Sequence, residues 1–339
     1  MHRRHVRSLP RLLAALGLLS VAAAPAVGHP TSPEPQARAL QAPAPQAPDP
    51  LSLWLDPNTP AALQAAAYRR LGRTEDAALI DRIATRPQAT WLTGANPGPA
   101  VRALTTEAAL AGRTALLVAY HLPHRDCGSF SAGGADNERD YRAYIDSFAE
   151  GLGDRGALVV LEPDAVPQAL ADCPQTGTAD PLALLAHAVE RLKQQPRARV
   201  YVDAGNPDWM PDVSWLARGL RQAGVDGADG FALNVSNFQT TQSVLSYGRR
   251  VADALGGGAH FVVDTSRNGN GPYTGVDAWC NPPGRALGSP PTTDTGVPGV
   301  DAYLWIKRPG ESDGTCRGGP PAGHWWPEYA LDLARAAPD

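Results

Sequence analysis

Short apolar runs alternate with amphipathic segments along most of the chain. The runs occupy residues 89–92, 114–120, 157–163, 198–204, 230–236, 260–266 and 302–307. Brief apolar runs without strict alternation are typical of strands that are buried on both faces. The sequence therefore predicts seven strands, and their alternation with helical patterns predicts an α/β fold.

Helices are predicted between most of these runs. Residues 137–152 place five apolar side chains on one helix face, namely Tyr141, Tyr144, Ile145, Phe148 and Leu152. Further helices are expected from Asp180-Pro181 to just before Pro196, and over residues 212–224, 240–255 and 325–336. Residues 267–301 show no helical periodicity, and an irregular segment of that length inside a compact domain usually has a function.

Repeated strand–helix alternation fits either a (β/α) barrel or a doubly wound sheet. Polar and aromatic residues recur where nearly every predicted strand ends: Trp91, Tyr120, Asp164, Asp203, Asn237, Asp264 and Lys307. In a doubly wound sheet they would gather at one switch point. We therefore expect a barrel whose rim of strand ends forms the functional site.

The first 50 residues differ from the rest in composition. Residues 1–11 are basic and residues 12–24 are apolar, so residues 1–28 are predicted to be an export signal. Its apolar stretch, residues 12–24, is too short to span a bilayer. Residues 29–50 are rich in Pro, Ala and Gln, which predicts a semi-extended linker. We expect residues 51–339 to form one domain of a secreted, monomeric protein.

Charge and cysteine content narrow the function classes. With 30 basic and 34 acidic residues, no charged block indicates a nucleic-acid or membrane partner for the mature protein. Four cysteines in an exported protein predict two disulfides. Three pairings are possible, and the simplest joins sequence neighbours, Cys127 with Cys173 and Cys280 with Cys316. Because Cys-x-x-Cys is absent from the sequence, we expect no metal site and no cofactor.

Four aspartates lie near predicted strand ends: Asp126, Asp164, Asp203 and Asp313. Any one of them could cap a helix or form a turn, but four on one rim favour shared chemistry. Carboxylates that converge without histidine ligands suit acid/base hydrolysis better than metal binding. Close like charges raise the pKa of one carboxyl, which keeps it protonated as a general acid.

The segments VAYHLPHRDC (residues 118–127) and LVVLEPD (residues 158–164) resemble the two signatures of glycoside hydrolase family 6, the inverting cellulases. Further similar segments follow in order: YVDAG at 201–205, NVSN at 234–237, DTSRNGNG at 264–271, WCN at 279–281 and LWIKRPGESDG at 304–314. The resemblance covers about residues 50–337. It implies a distorted, TIM-like barrel of seven parallel strands with an open cleft, and hydrolysis of internal β-1,4-glucosidic bonds with inversion.

The resemblance also implies catalytic roles. Asp164 is the general acid, and Asp126 raises its pKa. Asp313 matches the position proposed for the base, Asp203 supports the network, and Tyr120 presses on a distorted sugar ring. Inversion requires two carboxylates about 6.5–9.5 Å apart, with an attacking water between them.

Carried over in the same way, a second set of residues binds the β-1,4-glucan substrate: Trp91, Thr93, Asn206, Trp209, Asn237, Trp279, Lys307 and Glu311. Trp91, Trp209 and Trp279 are the expected stacking platforms. The other tryptophans are expected to be structural or core residues: Trp54, Trp215, Trp305, Trp325 and Trp326. Two positions depart from the family pattern, because Asn206 replaces a common His and Ala132 replaces a frequent Ser.

Three other functions compete with an endoglucanase. The short segment from Cys280 to Cys316, with no second Trp soon after Trp209, favours an endoglucanase over an exo-acting cellobiohydrolase. A catalytically inactive glucan-binding protein would not need the aspartates at 126, 164 and 313. A nicotinamide dehydrogenase is not expected, because the glycine motif at residues 151–156 follows a predicted helix and precedes a strand, the reverse of the required order.

Overall fold

The computed structural model describes residues 52–171, residue 173 and residues 180–338. The predicted export signal and linker lie outside the described residues. No helix within the described ranges is long and apolar enough to cross a membrane.

Seven parallel strands form one sheet in the order of the chain. Their bounds are β1 (Thr90–Leu92), β2 (Ala115–Ala119), β3 (Ala157–Leu161), β4 (Ala198–Asp203), β5 (Gly230–Leu233), β6 (His260–Asp264) and β7 (Val300–Leu304). Each strand lies at a predicted run, but β7 begins at residue 300 rather than 302. Residues 305–307 no longer pair with a neighbouring strand, so Lys307 lies on the rim formed by the carboxyl ends of the strands.

The two edges of the sheet approach each other and make a barrel. The backbone N–H of Ala89, just before β1, donates to the carbonyl of Trp305, just after β7, at 3.0 Å. The indole Nε1 of Trp91 donates to the carbonyl of Ile306 at 2.8 Å. The predicted distorted seven-stranded barrel is confirmed.

Helices precede β1, connect the strands from β1 to β6 and follow β7, and they cover the outside of the barrel. Their bounds are α1 (Pro60–Arg70), α2 (Thr74–Ala84), α3 (Gly98–Leu110), α4 (Glu138–Leu152), α5 (Ala165–Leu170), α6 (Pro181–Lys193), α7 (Val213–Gln222), α8 (Thr241–Ala254) and α9 (Pro327–Ala336). Asn137 caps α4, since its side chain accepts from the N–H of Asp140. The predicted apolar face of α4 is fully buried.

Both faces of the strands are covered, which explains why their sequences do not alternate. On β2 and β3, Leu116, Val118, Leu158 and Val160 belong to the cluster inside the barrel. The intervening residues pack against the surrounding helices. A separate cluster joins α1, α2 and α9 around Trp305, which is buried as expected.

Two disulfides tether loops at the rim. Cys127 pairs with Cys173, 46 residues away, and Cys280 pairs with Cys316, 36 residues away. The pairing between sequence neighbours is thereby confirmed among the three that were possible. The first disulfide holds the segment after β2 to the segment after α5, and the second holds the long loop before β7 to the segment that follows β7.

Candidate active site

A cleft of about 1070 Å³ opens at the carboxyl ends of the strands. It is lined by all but one of the residues predicted for catalysis or binding: Trp91, Thr93, Tyr120, Asp126, Asp164, Asn206, Trp209, Asn237, Trp279, Lys307, Glu311 and Asp313. The exception, Asp203, is buried directly behind Asp164. Residues spread over more than 200 positions of the sequence therefore meet in one place.

Asp164 lies on a sharp turn between β3 and α5. Glu162 and Asp164 have positive φ values of 46° and 72°, on either side of Pro163. Such backbone conformations cost about 1–3 kcal/mol each in a residue with a side chain, and they cluster at functional sites. The side chain of Asp164 makes no capping bond to α5, so the turn directs its carboxyl group to the cleft.

The surroundings of Asp164 favour its protonated form. Burial, and then the charges of Asp203 and Asp126, raise the pKa of Asp164 well above its ordinary value, and the charge of Lys307 opposes this rise. Burial also raises the pKa of Asp203, but its Oδ2 accepts the backbone N–H of Asp164 at 2.8 Å and that of Gly205 at 3.3 Å. Those bonds stabilise the charged form of Asp203 and so oppose the rise of its pKa, whereas Asp164 is the carboxyl group whose protonated form is favoured.

Asp126 lies on the loop that follows β2. Its Oδ2 accepts the N–H of Ser131 at 2.7 Å, while burial raises its pKa. Arg125 holds this loop in place, since it donates to the carbonyls of Tyr120 at 2.7 Å and Ser131 at 2.8 Å. The family resemblance assigned no role to Arg125, although it stands inside the first signature.

Tyr120 lies between these acids and Trp91, which was predicted to be a stacking platform. Its ring meets Trp91 edge to face at a centroid distance of 5.0 Å, and the guanidinium of Arg125 lies 4.6 Å from its centroid. Burial, followed by the charges of Asp164 and Asp126, raises the pKa of Tyr120. Its hydroxyl therefore stays protonated and can act as a hydrogen-bond donor.

Asp313 lies in a strongly cationic setting. Its Oδ2 accepts from Arg267 at 2.8 Å and from the N–H of Asn281 at 3.0 Å, and its Oδ1 lies 3.4 Å from Lys307 Nζ. Burial alone would raise the pKa of Asp313, but Arg267 and Lys307 outweigh it and lower the pKa. The ionised form is therefore favoured for Asp313, whereas the protonated form is favoured for Asp164. The sequence interpretation missed Arg267, because nothing local indicates that an arginine after β6 is wholly buried.

Exposed aromatic rings lie along the cleft. Trp209 is 37% exposed and Trp279 is 48% exposed. Asn206 lines the cleft, and its Oδ1 accepts the N–H groups of Asp208 at 3.1 Å and Trp209 at 3.2 Å, which fixes the loop that presents Trp209. The family resemblance did not include Phe130, which is 43% exposed and meets Trp279 at 5.9 Å between ring centroids.

The remaining predicted binding residues sit on the same rim. Lys307 Nζ donates to the carbonyl of Ser312 at 3.0 Å, and Glu311 pairs with Arg308 at 3.2 Å. Thr93 and Asn237 line the wall of the cleft. Within the described ranges, no group of three or more His, Cys, Asp or Glu residues is arranged to hold a metal ion.

One expectation about the tryptophans was wrong. Trp215 was predicted to be a core residue, but it is 38% exposed in the first turn of α7. The buried face of the helix is formed by Leu216, Ala217 and Leu220. Trp215 lies outside this face and is therefore exposed to solvent. Trp54, Trp325 and Trp326 are partly buried and pack against the apolar clusters, as expected.

Known proteins resemble this chain over most of its length. The family model described as glycosyl hydrolases family 6 matches residues 50–337. Endoglucanase A of Cellulomonas fimi is 44% identical over 297 residues, which cover 86% of this chain but 62% of that protein. The chain therefore spans less than two thirds of that relative. Endoglucanase 1 of Streptomyces halstedii is 40% identical over 343 residues, covering 97% of this chain and 98% of that protein.

A solved structure has the same architecture. The endoglucanase Cel6 from Mycobacterium tuberculosis, in complex with methyl-cellobiosyl-4-deoxy-4-thio-beta-D-cellobioside, superimposes with a TM-score of 0.79 at 44% identity. The match covers 84% of this chain and 97% of that one. With a family match over nearly all the described residues and relatives above 40% identity, the chain belongs to glycosyl hydrolases family 6.

Proposed function

We propose that this protein is an endo-β-1,4-glucanase that hydrolyses internal bonds of β-1,4-glucans with inversion. The observation that carries the proposal is a single cleft in which two carboxyl groups have pKa values shifted in opposite directions. Asp164 has a raised pKa and Asp313 a lowered one. Two carboxyl groups whose pKa values are shifted in opposite directions are typical of the acid and the base in glycoside hydrolysis.

In this mechanism the proton of Asp164 passes to the leaving glycosidic oxygen as the bond to the anomeric carbon breaks. A water attacks the opposite face of that carbon, and its proton passes to Asp313. Asp126 keeps Asp164 protonated by its charge, and Asp203 orients the turn through the N–H of Asp164. The hydroxyl of Tyr120 donates to the distorted sugar ring.

The remaining polar and aromatic groups of the cleft bind successive glucose units. Trp91, Trp209 and Trp279 stack against sugar faces, since pyranose C–H groups pack well on indole rings. Thr93, Asn206, Asn237, Lys307 and Glu311 are the hydrogen-bonding set. We assign a further contact to Phe130, which adjoins Trp279 on the side of the cleft formed by the loop after β2.

We assign residues 1–28 to a signal peptide, residues 29–50 to a linker and residues 51–339 to the catalytic domain of a secreted monomer. Internal cleavage is favoured over exo-acting cleavage because the loop between Cys280 and Cys316 is short, and the relatives with the higher identities are named endoglucanases.

The function is tested on carboxymethyl cellulose, with viscosity, reducing ends and the first anomer formed measured together. We expect viscosity to fall well before reducing ends accumulate, because internal cuts shorten the chains fastest. On cello-oligosaccharides, NMR should detect the α-anomer first. A reducing-end signal without early viscosity loss would indicate the exo-acting alternative. An initial β-anomer would contradict inversion, and complete inactivity would leave a glucan-binding protein.

Replacement of Asp126 by Asn should move the alkaline limb of the pH profile toward lower pH. Activity requires protonated Asp164 and is lost as pH rises through its pKa. Because the charge of Asp126 raises that pKa, its removal lowers the pKa, and we expect a shift of about one pH unit in kcat/KM. The matched control is Asp136→Asn, an exposed carboxylate on the same loop. An unshifted limb in Asp126→Asn would exclude the charge effect.

A further inference from the structure

Asp264 is a wholly buried carboxylate at the end of β6, and it accepts four backbone hydrogen bonds. Its Oδ1 accepts the N–H of Ser266 at 2.9 Å and of Ile306 at 3.3 Å. Its Oδ2 accepts the N–H of Ser236 and of Lys307, each at 3.0 Å. The four donors belong to the segments that follow β5, β6 and β7, so one side chain joins three loops of the rim.

Two of these three segments deliver a cation to Asp313, and the third segment holds one of those cations. Lys307 lies 3.4 Å from its Oδ1, and Arg267, the residue after Ser266, donates to its Oδ2 at 2.8 Å. The carbonyl of Ser236 accepts a second bond from Arg267 at 2.6 Å. The residues fixed by Asp264 are therefore those that fix the two cations around Asp313.

The loop after β5 needs such an anchor because its backbone is not in a relaxed conformation. Asn234 and Ser236 have positive φ values of 66° and 56°, a region that costs a residue with a side chain about 1–3 kcal/mol unless its surroundings hold it. A carboxylate can accept at both oxygens, and it satisfies all four N–H groups. An amide in its place would turn its NH₂ group toward two of these donors.

We propose that Asp264 is a positioning residue, which sets Lys307 and Arg267 around Asp313 and thereby the geometry of the attacking side of the reaction. The inference rests on the proposed function. The same device recurs on β3, where Glu162 accepts the N–H groups of His121 at 3.0 and 2.9 Å and of Leu122 at 3.0 Å, and so ties the loop of Asp126 to the turn of Asp164.

The test is a double-mutant cycle on cello-oligosaccharide hydrolysis, with Asp264→Asn, Lys307→Ala and the double variant. We expect Asp264→Asn to lower kcat/KM by about 100-fold, the loss typical of displacing a catalytic group by about 1 Å. In the Lys307→Ala background the same change should cost several-fold less than it does in the wild type, because one of the two groups that Asp264 positions is already missing. A purely structural role would lower the melting temperature and leave the two losses multiplicative.

Asp229→Asn is the matched control. Asp229 precedes β5 at the opposite end of the barrel, where it accepts the N–H of Val200 at 2.7 Å and pairs with Lys193 at 2.6 Å. Its replacement should lower the melting temperature without changing kcat/KM. An active wild type with Asp264→Asn within twofold of it, or multiplicative losses in the cycle, would overturn the positioning role alone. An inactive wild type would instead refute the proposed function.

If Asp264→Asn does not fold, amide hydrogen exchange of the wild type decides the question without any activity assay. The amides of Ser236 and Lys307 belong to different loops but bond to the same oxygen. Release of that oxygen exposes both, so we expect their protection factors to agree within about threefold. Protection factors that differ by more than about tenfold would overturn the proposal.

Discussion

Replacement of Asp164 by Asn should lower kcat on β-1,4-glucan polymer by about 10³-fold, the size of effect expected when a general acid is lost. Asn has nearly the same shape but no proton to give to the leaving oxygen. The backbone N–H of residue 164 still donates to Asp203, and the side chain of Asp164 makes no capping bond in the wild type. The fold should therefore survive, and the melting temperature should stay close to that of the wild type.

The leaving group distinguishes an acid from any other role of Asp164. A dinitrophenolate leaves without a proton, so Asp164→Asn should hydrolyse dinitrophenyl β-cellobioside at a rate within about tenfold of the wild type. Asp154→Asn, in the exposed turn before β3, is the control and should behave as the wild type on both substrates. Equal losses of Asp164→Asn on the two substrates would contradict the assignment as acid.

The sequence predicted the fold well where the signal is local. The strands β2, β3 and β5 are buried apolar runs, and the α4 helix begins at the residue after Asn137 because that side chain supplies the missing hydrogen bond at its first turn. The boundary of β7 was less accurate. The run at 302–307 stays apolar as far as Ile306, but the backbone N–H groups of Ile306 and Lys307 bond to Asp264 rather than to a neighbouring strand.

The site was predictable as a set of aspartates and tryptophans, because each follows a strand end or stands in a family motif. The groups that surround those aspartates and tryptophans, and that shift the pKa values of the aspartates, were not predictable. Arg267 pairs with Asp313 across 46 positions of the sequence, and Phe130 meets Trp279 between two separate loops. Such pairs depend on how the loops fold over the rim. For Trp215 the prediction itself was wrong, since this aromatic residue in an amphipathic helix was assigned to the core from its type alone.

In the proposed mechanism Asp313 has two roles, as a base and as the partner of the buried Arg267, and a single replacement removes both. Its Oδ2 is occupied by Arg267 and the N–H of Asn281, while its Oδ1 lies near Lys307 and is the oxygen left to accept a proton from water. Asp313→Ala removes that base and also leaves a buried guanidinium without its partner. We expect a loss of about 3–5 kcal/mol in the free energy of unfolding and about 10²- to 10³-fold in kcat.

Azide separates the two roles of Asp313. Azide ion is already a nucleophile and needs no base, so it can attack the anomeric carbon while Asp164 protonates the leaving oxygen. The expected result is that azide raises the turnover of Asp313→Ala by at least about tenfold and that NMR identifies an α-glycosyl azide as the product, with no effect on the wild type. Asp332→Ala, a carboxylate that is largely exposed on α9, is the control and should match the wild type. If folded Asp313→Ala does not respond to azide, Asp313 acts by holding Arg267 and Lys307, and the proton of the attacking water goes elsewhere.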